Sequence, residues 1–341
     1  MAKILVLGGG RQGRVIAEDL SDKHSVTVAD VRPIRIDGIT TVTADLSDPA
    51  TVTAMMREHD LAVGALPAQL GFAAAKCAIE AGVNYVDVAF FAEDVGQLDA
   101  AARAKGISII PDAGLAPGLS NLIVGRALAI ADREEVHIMV GGVAVDKTKP
   151  YGYVISWSPA DLLDEYIRPA RIISEGKVTT VPALTGLEIV TIPGVGEMEC
   201  FYTDGLRTLL EMKVREGSEK TLRWPGHVAA IQPLMKSGTF IEELEAKCKE
   251  GDDLVVFRIQ ADDHVVTMVD RAKDGMSAMA RTTALTCAAF ARWAAEGKVR
   301  DKGVVTPEKL GADPVAYRFI MDAVAKRGIT FNPPLPFYVT P

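Results

Sequence analysis

The sequence predicts an α/β chain in which a doubly wound parallel sheet precedes an α+β domain built on a mainly antiparallel mixed sheet. Three observations predict it. From Lys3 to about Ile130, short β-rich runs alternate with helix-forming stretches, the order that produces parallel strands joined by covering helices. The first such unit runs from an apolar stretch (Ile4 to Leu7) through Gly8, Gly10 and Gly13 in G-x-G-x-x-G spacing to a helical pattern, a second apolar run and Asp30. That is the Rossmann dinucleotide pattern. Beyond about Ala131 the runs lengthen and are separated by Gly, Pro and Asp clusters, as in hairpin-linked sheets. The expected division is residues 1–130 for a dinucleotide-binding domain, 131–275 for a substrate-binding and dimerisation domain, and 276–341 for a carboxy-terminal return onto the first.

In chain order, the strands of the first domain are expected at Ile4 to Leu7, Ser25 to Ala29, Thr40 to Thr43, Leu61 to Ala65, Tyr85 to Val88 and Ile107 to Ile110, all rich in β-branched and aliphatic residues. Arg14 to Leu20, Ala50 to Glu58, Gly71 to Ala81 and Glu93 to Lys105 carry Ala, Leu, Glu and Arg and read as helices. In the second domain, Val136 to Val145, Leu187 to Ile192, Lys213 to Arg215, Leu254 to Gln260 and His264 to Val269 read as strands, with a hairpin turn at Ala261-Asp262-Asp263. Its helices are expected at Pro159 to Tyr166 and His227 to Lys236. Helices at Met276 to Glu296 and near Ala316 to Arg327 follow.

Composition excludes several classes. A formal charge of −8 and a pI near 5.3, without any Lys/Arg block, argue against nucleic acid or an anionic membrane as partner. With 48% apolar residues the chain has ample material for a packed core. Cys77, Cys200, Cys248 and Cys287 show neither C-x-x-C nor Cys/His spacing, so buried free thiols are expected, and no metal. There is no signal-peptide pattern and no run long enough for a membrane helix. The expectation is a soluble, cytoplasmic protein whose partners are an amino-acid-sized substrate and copies of itself, as a homodimer or homotetramer.

The glycines are there because the turn is crowded. Gly8 permits the tight bend, Gly10 lets backbone approach a pyrophosphate, and Gly13 lets the helix pack on the strand, with the helix amino end attracting phosphate. Asp30 can accept from both ribose hydroxyls, whereas a 2′-phosphate there meets a like charge costing roughly 1–4 kcal/mol. NAD is favoured. Arg32 nearby keeps NADP possible. Topology puts three further strand ends at the ligand-binding edge: Asp45 and Leu46 toward the adenine, Ala65, Leu66 and Pro67 toward the nicotinamide ribose, and Asp87, Val88 and Ala89 beyond. Pro111 to Asn121, PDAGLAPGLSN, follows the sixth strand and puts Asp112 at that same edge, with a helix entered through Ser120 or Asn121.

GGGRQGRVIAEDL, GVNYVDVAF, PDAGLAPGLSN, YGYVISWSPADLL, TLRWPGH and GVVTPEKLG together, in this order, resemble the saccharopine dehydrogenase and lysine 6-dehydrogenase family over nearly the whole chain. The compact substrate region looks more like the lysine 6-dehydrogenase branch. The resemblance implies an NAD(P)-dependent oxidoreductase acting on a C–N bond of an amino acid. It places Gly8, Gly10, Arg11, Gln12 and Gly13 around the pyrophosphate, Asp30 on the ribose, and Asp45, Leu46, Ala65, Leu66 and Pro67 in the cofactor groove. Asp87, Asp112, Tyr151, Trp157, Arg223 and His227 fall on motifs facing nicotinamide or substrate.

Hydride leaves an aminomethylene carbon only when the nitrogen lone pair is available, so an ammonium substrate needs a base. His227 has the right intrinsic pKa, Asp112 is placed to orient an amine or iminium, Arg223 to clamp a carboxylate, and Tyr151 and Trp157 to wall off the site. Three functions compete: oxidation of the lysine ε-amine to an aldehyde or cyclic imine; saccharopine-like or carboxynorspermidine-like reductive coupling, which calls for another cation from Arg168, Arg171 or Lys147; and a dinucleotide sensor without turnover.

Overall fold

Strands buried on both faces need continuous apolar runs, and KILVL at the start of the chain is one. In a computed structural model, which describes residues 1–334, it forms β1 (Lys3–Leu7). There follow α1 (Arg11–Leu20), β2 (Ser25–Asp30), β3 (Thr40–Thr43), α2 (Pro49–Arg57), β4 (Leu61–Gly64), α3 (Ala68–Ala81), β5 (Asn84–Asp87), α4 (Asp99–Lys105), β6 (Ser108–Ile110) and α5 (Leu119–Ile130). Local chemistry sets the boundaries. Asp48 accepts from the amides of Ala50 and Thr51 to open α2, with Pro49 at its first position. Gly82 and Gly106 end α3 and α4 in the left-handed conformation. The stretch from Glu93, expected as one helix with α4, instead begins as a 3-10 turn at Val95–Leu98, because Asp94 caps Gly96 first.

The second unit is built on a mixed eight-stranded sheet. Its elements are β7 (Glu135–Ala144), α6 (Pro159–Ile167), β8 (Ala170–Ser174), β9 (Lys177–Val181), β10 (Glu188–Ile192), β11 (Gly196–Tyr202), β12 (Glu216–Arg223), α7 (His227–Ser237), α8 (Phe240–Lys247), β13 (Asp253–Ala261) and β14 (His264–Arg271). The order is β10-β11-β12-β7-β13-β14, with β8 pairing β12 and β9. Every pairing is antiparallel except β12 with β7. Asp262 and Asp263 make the β13–β14 turn, Asp262 at φ 51° with its carboxylate accepting from the amides of Glu134 and Glu135 at 3.0 Å each. Lys213 to Arg215, expected as a strand, is not one: β12 begins at Glu216, where the polar run EGSEKTLR is buried almost throughout.

The chain then forms α9 (Ala278–Ala295), β15 (Gly303–Val304), α10 (Pro307–Ala312) and α11 (Pro314–Ala325). Asp253 accepts from the amides of Ala278 and Met279 to start α9. β15 pairs in parallel with β6 and completes a seven-stranded, wholly parallel sheet in the order β3-β2-β1-β4-β5-β6-β15. The order reverses between β1 and β4, the switch point where doubly wound sheets take ligands. Two compact units result: residues 1–126 with 281–328, and 127–280 with the described residues from Ile329. The first unit is therefore discontinuous; of the expected return over 276–341, residues 335–341 lie outside the described residues. Within the first unit, Asp19 at the end of α1 receives Arg292 (Nε to Oδ2, 3.0 Å) and Arg327 (Nη2 to Oδ2, 2.7 Å). All four cysteines are buried free thiols. No helix among the described residues is long and apolar enough to cross a membrane.

Candidate functional site

The turn from β1 to α1 shows why each glycine stands where it does. Gly8 has φ 93° and donates to Ala29 O at 2.8 Å; a Cβ there would lie 2.5 Å from Ala65 O. At Gly13 a Cβ would lie 1.8 Å from Gly8 O, so only glycine lets α1 approach β1. Gly10 differs, since a Cβ there would meet nothing within 4 Å. Gly10 also begins α1 with no side-chain cap, so the helix amides face the open side, the arrangement that receives a phosphate. The Gln12 side-chain oxygen is buried with no hydrogen-bond partner among the described residues. Arg11 is exposed at the helix start.

Asp30 ends β2 and is buried. Its Oδ2 accepts from Gly9 N at 2.8 Å and its Oδ1 from Arg32 N at 2.9 Å, and the largely exposed Arg32 guanidinium stands 3.6 Å away. Burial raises the carboxyl, but the amides of Arg32 and Gly9 and the Arg32 charge outweigh it and hold the group below its ordinary value. Asp30 is thus an ionised acceptor fixed beside the glycine turn. These residues fit a nicotinamide dinucleotide: open helix amides for the pyrophosphate, an anchored carboxylate for the ribose, and an unsatisfied Gln12 oxygen.

The other strand ends of this unit contribute unequally. Asp45 is exposed and turned onto Ser47, whose amide and hydroxyl it accepts at 2.9 and 2.6 Å. Leu46 and Leu66 pack their side chains into the core, so what they offer a groove is backbone. Ala65 donates to Leu7 O, Pro67 precedes α3, and half-buried Val88 donates to Gly64 O. Asp87 is fully buried and accepts from Ala89 N at 2.6 Å. Beside it, burial and the Asp87 charge push the Tyr85 phenol far up. Asp112 is buried at the end of β6 with φ 51°, a backbone that aspartate adopts at a cost. The loop after it folds on itself: Leu119 donates to Gly114 O, and a Cβ at Gly118 would lie 2.0 Å from that oxygen. Helix α5 begins at Leu119, with Asn121 Oδ1 accepting from Gly118 N.

The second unit holds a buried polar network that joins three of the expected residues, Arg223, His227 and Tyr151, to one that was not expected, Tyr166. Arg223, the last residue of β12, donates from Nε to the Tyr166 hydroxyl at 2.8 Å. Tyr166 OH lies 3.0 Å from His227 Nε2, and His227 Nδ1 lies 2.7 Å from Tyr151 O. A carbonyl only accepts, so Nδ1 carries the proton, Nε2 accepts from Tyr166, and the phenol oxygen accepts from Arg223. The chain of donors has one direction. Burial and the Arg223 charge lower His227 to about 3 against the pull of the Tyr151 carbonyl; the imidazole is neutral. Arg223 also donates to Leu222 O and stands 5.4 and 5.7 Å from the ring centres of Tyr153 and Tyr166. Among the described residues it has no carboxylate within ion-pair distance.

The RWPGH turn is held from below. Glu199 on β11 accepts from Gly226 N and Val228 N at 2.6 and 2.7 Å, opening α7, and Trp224 Nε1 donates to Ala144 O. Tyr151 reaches the network only through its carbonyl, because its hydroxyl donates to Glu243 on α8 at 3.1 Å. Half-buried Trp157 packs against the apolar group containing Tyr153 and Tyr166. The extra cations are engaged: Arg171 pairs bidentately with Asp204, Arg168 lies between Asp164 and Asp204, and Lys147 rests 4.0 Å above the Trp224 ring. Sequence reasoning missed Tyr166, Tyr153, Glu165 and Glu199. The two on α6 sit in a stretch whose pattern reads as an ordinary amphipathic helix. The only available signal was an adjacent Glu-Tyr pair just after SWSP.

Residues 4–110 match the saccharopine dehydrogenase NADP binding domain, and residues 114–252 and 240–329 the saccharopine dehydrogenase C-terminal domain. The chain is similar to the NADP(+), L-glutamate-forming saccharopine dehydrogenase of Pyricularia oryzae, 26% identical over 276 residues covering 73% of this chain and 60% of that protein. It is also similar to the mitochondrial alpha-aminoadipic semialdehyde synthase of Mus musculus, 24% identical over 71% of this chain and 29% of the other. The chain thus spans less than two thirds of these relatives. Apo saccharopine dehydrogenase (L-Glu forming) from Saccharomyces cerevisiae superposes with a TM-score of 0.75 at 19% identity, covering 96% of this chain and 98% of the other. The homospermidine synthase of Legionella pneumophila in complex with NAD gives 0.67 at 15%, covering 95% and 89%. At these identities both are likenesses of fold.

Proposed function

The chain belongs to the saccharopine dehydrogenase family, and from that premise we propose that it is an NAD-preferring oxidoreductase that oxidises the side-chain amine of a lysine-like amino acid to an imine, which hydrolyses or cyclises. Arg223 is the observation that carries the reading. A buried guanidinium without a carboxylate partner is costly unless it awaits an anion, and its fork suits the carboxylate of an amino acid. Tyr166 fixes the guanidinium through Nε, His227 fixes Tyr166, and the Tyr151 carbonyl fixes His227.

When bound, the nicotinamide supplies the hydride acceptor. Gly8, Gly10, Gly13, Arg11, Gln12 and Asp30 would hold it, the helix amides at the pyrophosphate and Asp30 at the ribose. Asp30 also supports NAD over NADP, since its lowered pKa keeps a full charge where a 2′-phosphate would be repelled. His227 is revised from base to positioning residue: both ring nitrogens are used, and a group lowered to about 3 takes up no proton near neutrality.

Reductive coupling of an aldehyde with an amino acid is the second reading, favoured by the names of the relatives. It asks for more anion-binding capacity in the second unit, and Arg171 and Lys147 already have partners there. Initial rates of nicotinamide absorbance change with NAD and NADP, across lysine, ornithine, saccharopine and diamines, decide between them. Growth with lysine and NAD supports the dehydrogenase. A rate that requires saccharopine, or an aldehyde together with an amine, supports coupling. Dinucleotide binding with no turnover on any of them supports a sensor.

A further inference from the structure

Beside Arg223 lies a line of four side chains that the reaction above does not use. Glu165 is on α6, Glu219 and Thr221 share one face of β12, and Thr203 follows β11. Their oxygens are in file: Glu165 Oε1 to Thr221 Oγ1 is 2.6 Å, Thr221 Oγ1 to Thr203 Oγ1 is 2.8 Å, and Thr203 Oγ1 to Glu219 Oε2 is 2.6 Å. Glu219 is buried at 4% exposure, whereas Glu165 keeps part of its surface open.

Counting protons decides what this line is. Each oxygen contact needs one hydrogen, and there are three contacts. The two threonine hydroxyls supply only two. With both carboxylates ionised, each hydroxyl points at its own glutamate and the threonine oxygens face each other at 2.8 Å with no proton between them. The line closes only when one carboxyl is protonated, and then in two ways. Glu165 can donate to Thr221, Thr221 to Thr203 and Thr203 to Glu219; or every donor reverses and Glu219 carries the proton.

We propose that Glu165, Thr221, Thr203 and Glu219 form a one-proton relay that delivers a negative charge to Glu165 when a substrate ammonium is present, while Glu219 keeps the proton. Three protons each move by one oxygen; no bond to carbon changes, nothing is oxidised, and the total charge is constant. Glu165 is the open end and the candidate partner of the amine. Glu219 and the threonines act through it. That use rests on the function proposed above, whereas the relay itself does not.

The surroundings act unequally on the two ends, raising Glu219 further than Glu165. Burial raises both carboxyls. At Glu165, Arg223 and Arg168 pull down and Asp164 pushes up; at Glu219, Glu165 and Asp204 push up and Arg223 pulls down. Neither end has an arginine within ion-pair distance among the described residues to hold the charge there permanently.

Carboxyl carbon-13 NMR of the whole protein, labelled at glutamate and assigned by loss of signal in Glu165→Gln and Glu219→Gln, tests this. Near neutral pH the two resonances are expected between the protonated and ionised positions. Added L-lysine should move them in mirror image, Glu165 toward ionised and Glu219 toward protonated. Thr203→Val should abolish the sharing and Thr203→Ser restore it. In the wild type, one resonance fully protonated and the other fully ionised, with no response to lysine, overturns the relay even if the enzyme oxidises lysine. Shared resonances that move with lysine, in a protein that never reduces NAD, uphold the relay and overturn the dehydrogenase reading instead.

Discussion

Arg223 has no carboxylate within ion-pair distance among the described residues, and Asp30 holds an ionised carboxylate beside the glycine turn, so both are directly testable. Arg223→Lys keeps the positive charge but removes the fork and the Nε donor to Tyr166. One to two charge-assisted bonds are lost, so KM for the amino acid is expected to rise about ten- to a hundredfold, with dinucleotide affinity unchanged by fluorescence titration. Asp30→Ser removes the repulsion toward a 2′-phosphate, and the kcat/KM ratio of NADP to NAD should rise by at least about tenfold. His227 makes a prediction about stability. Its folded pKa of about 3 lies below the ordinary 6.5, so below 6.5 the unfolded chain binds a proton that the folded chain refuses. The neutral imidazole therefore contributes stability that is present above 6.5 and lost as the pH falls toward 3. In His227→Gln the drop in melting temperature between pH 7 and pH 5 should be smaller than in the wild type.

At the level of elements, the β1–α1 turn separates two roles that a glycine can have. Gly13→Ala forces a methyl to within 1.8 Å of Gly8 O, so both the melting temperature and dinucleotide binding should fall. Gly10→Ala meets nothing in the protein, so stability should be nearly unchanged while dinucleotide affinity drops at least about tenfold. Equal behaviour of the two variants in both measurements would refute the assignment of Gly10 to the phosphate side. The contrast between β1 and β12 explains what was legible in the sequence. KILVL announces a buried strand because its partners are apolar on both faces. EGSEKTLR is just as buried, but its burial is satisfied by particular side chains: Lys220 by Glu188, Glu219 by Thr203, Thr221 by Glu165 and Arg223 by Tyr166. No periodicity reports such pairings. Local rules therefore succeeded on the frame and failed on the buried polar strand. The glycine turn was readable because steric need leaves its mark on residue type, whereas Tyr166 and Glu165 acquire meaning only through distant partners.

For the molecule as a whole, the return of residues 281–328 to the first unit is secured by a partly buried charge group on Asp19. Asp19→Asn leaves Arg292 and Arg327 without their shared carboxylate. Arg292 keeps Asp22 and Arg327 is partly exposed, so the loss is that of charge-assisted bonds, about 1.5–3 kcal/mol, and thermal unfolding of the first unit should shift downward, seen as earlier loss of dinucleotide binding on heating. The network around Arg223 in the second unit should be unaffected at temperatures below that transition.

The late arrival of β15 also matters while the protein is being made. Ser108, the first residue of β6, and Asp301 before β15 are joined by a hydrogen bond across 193 positions. At ~5–20 residues per second, translation leaves β6 without its outer neighbour for roughly 10–40 s, and residues 127–280 of the second unit are made in that interval. A nascent sheet with a bare edge is a template for pairing with other chains. A ribosome stalled before Gly303 would therefore hold a protein whose cofactor domain is nearly complete and open to aggregation along β6.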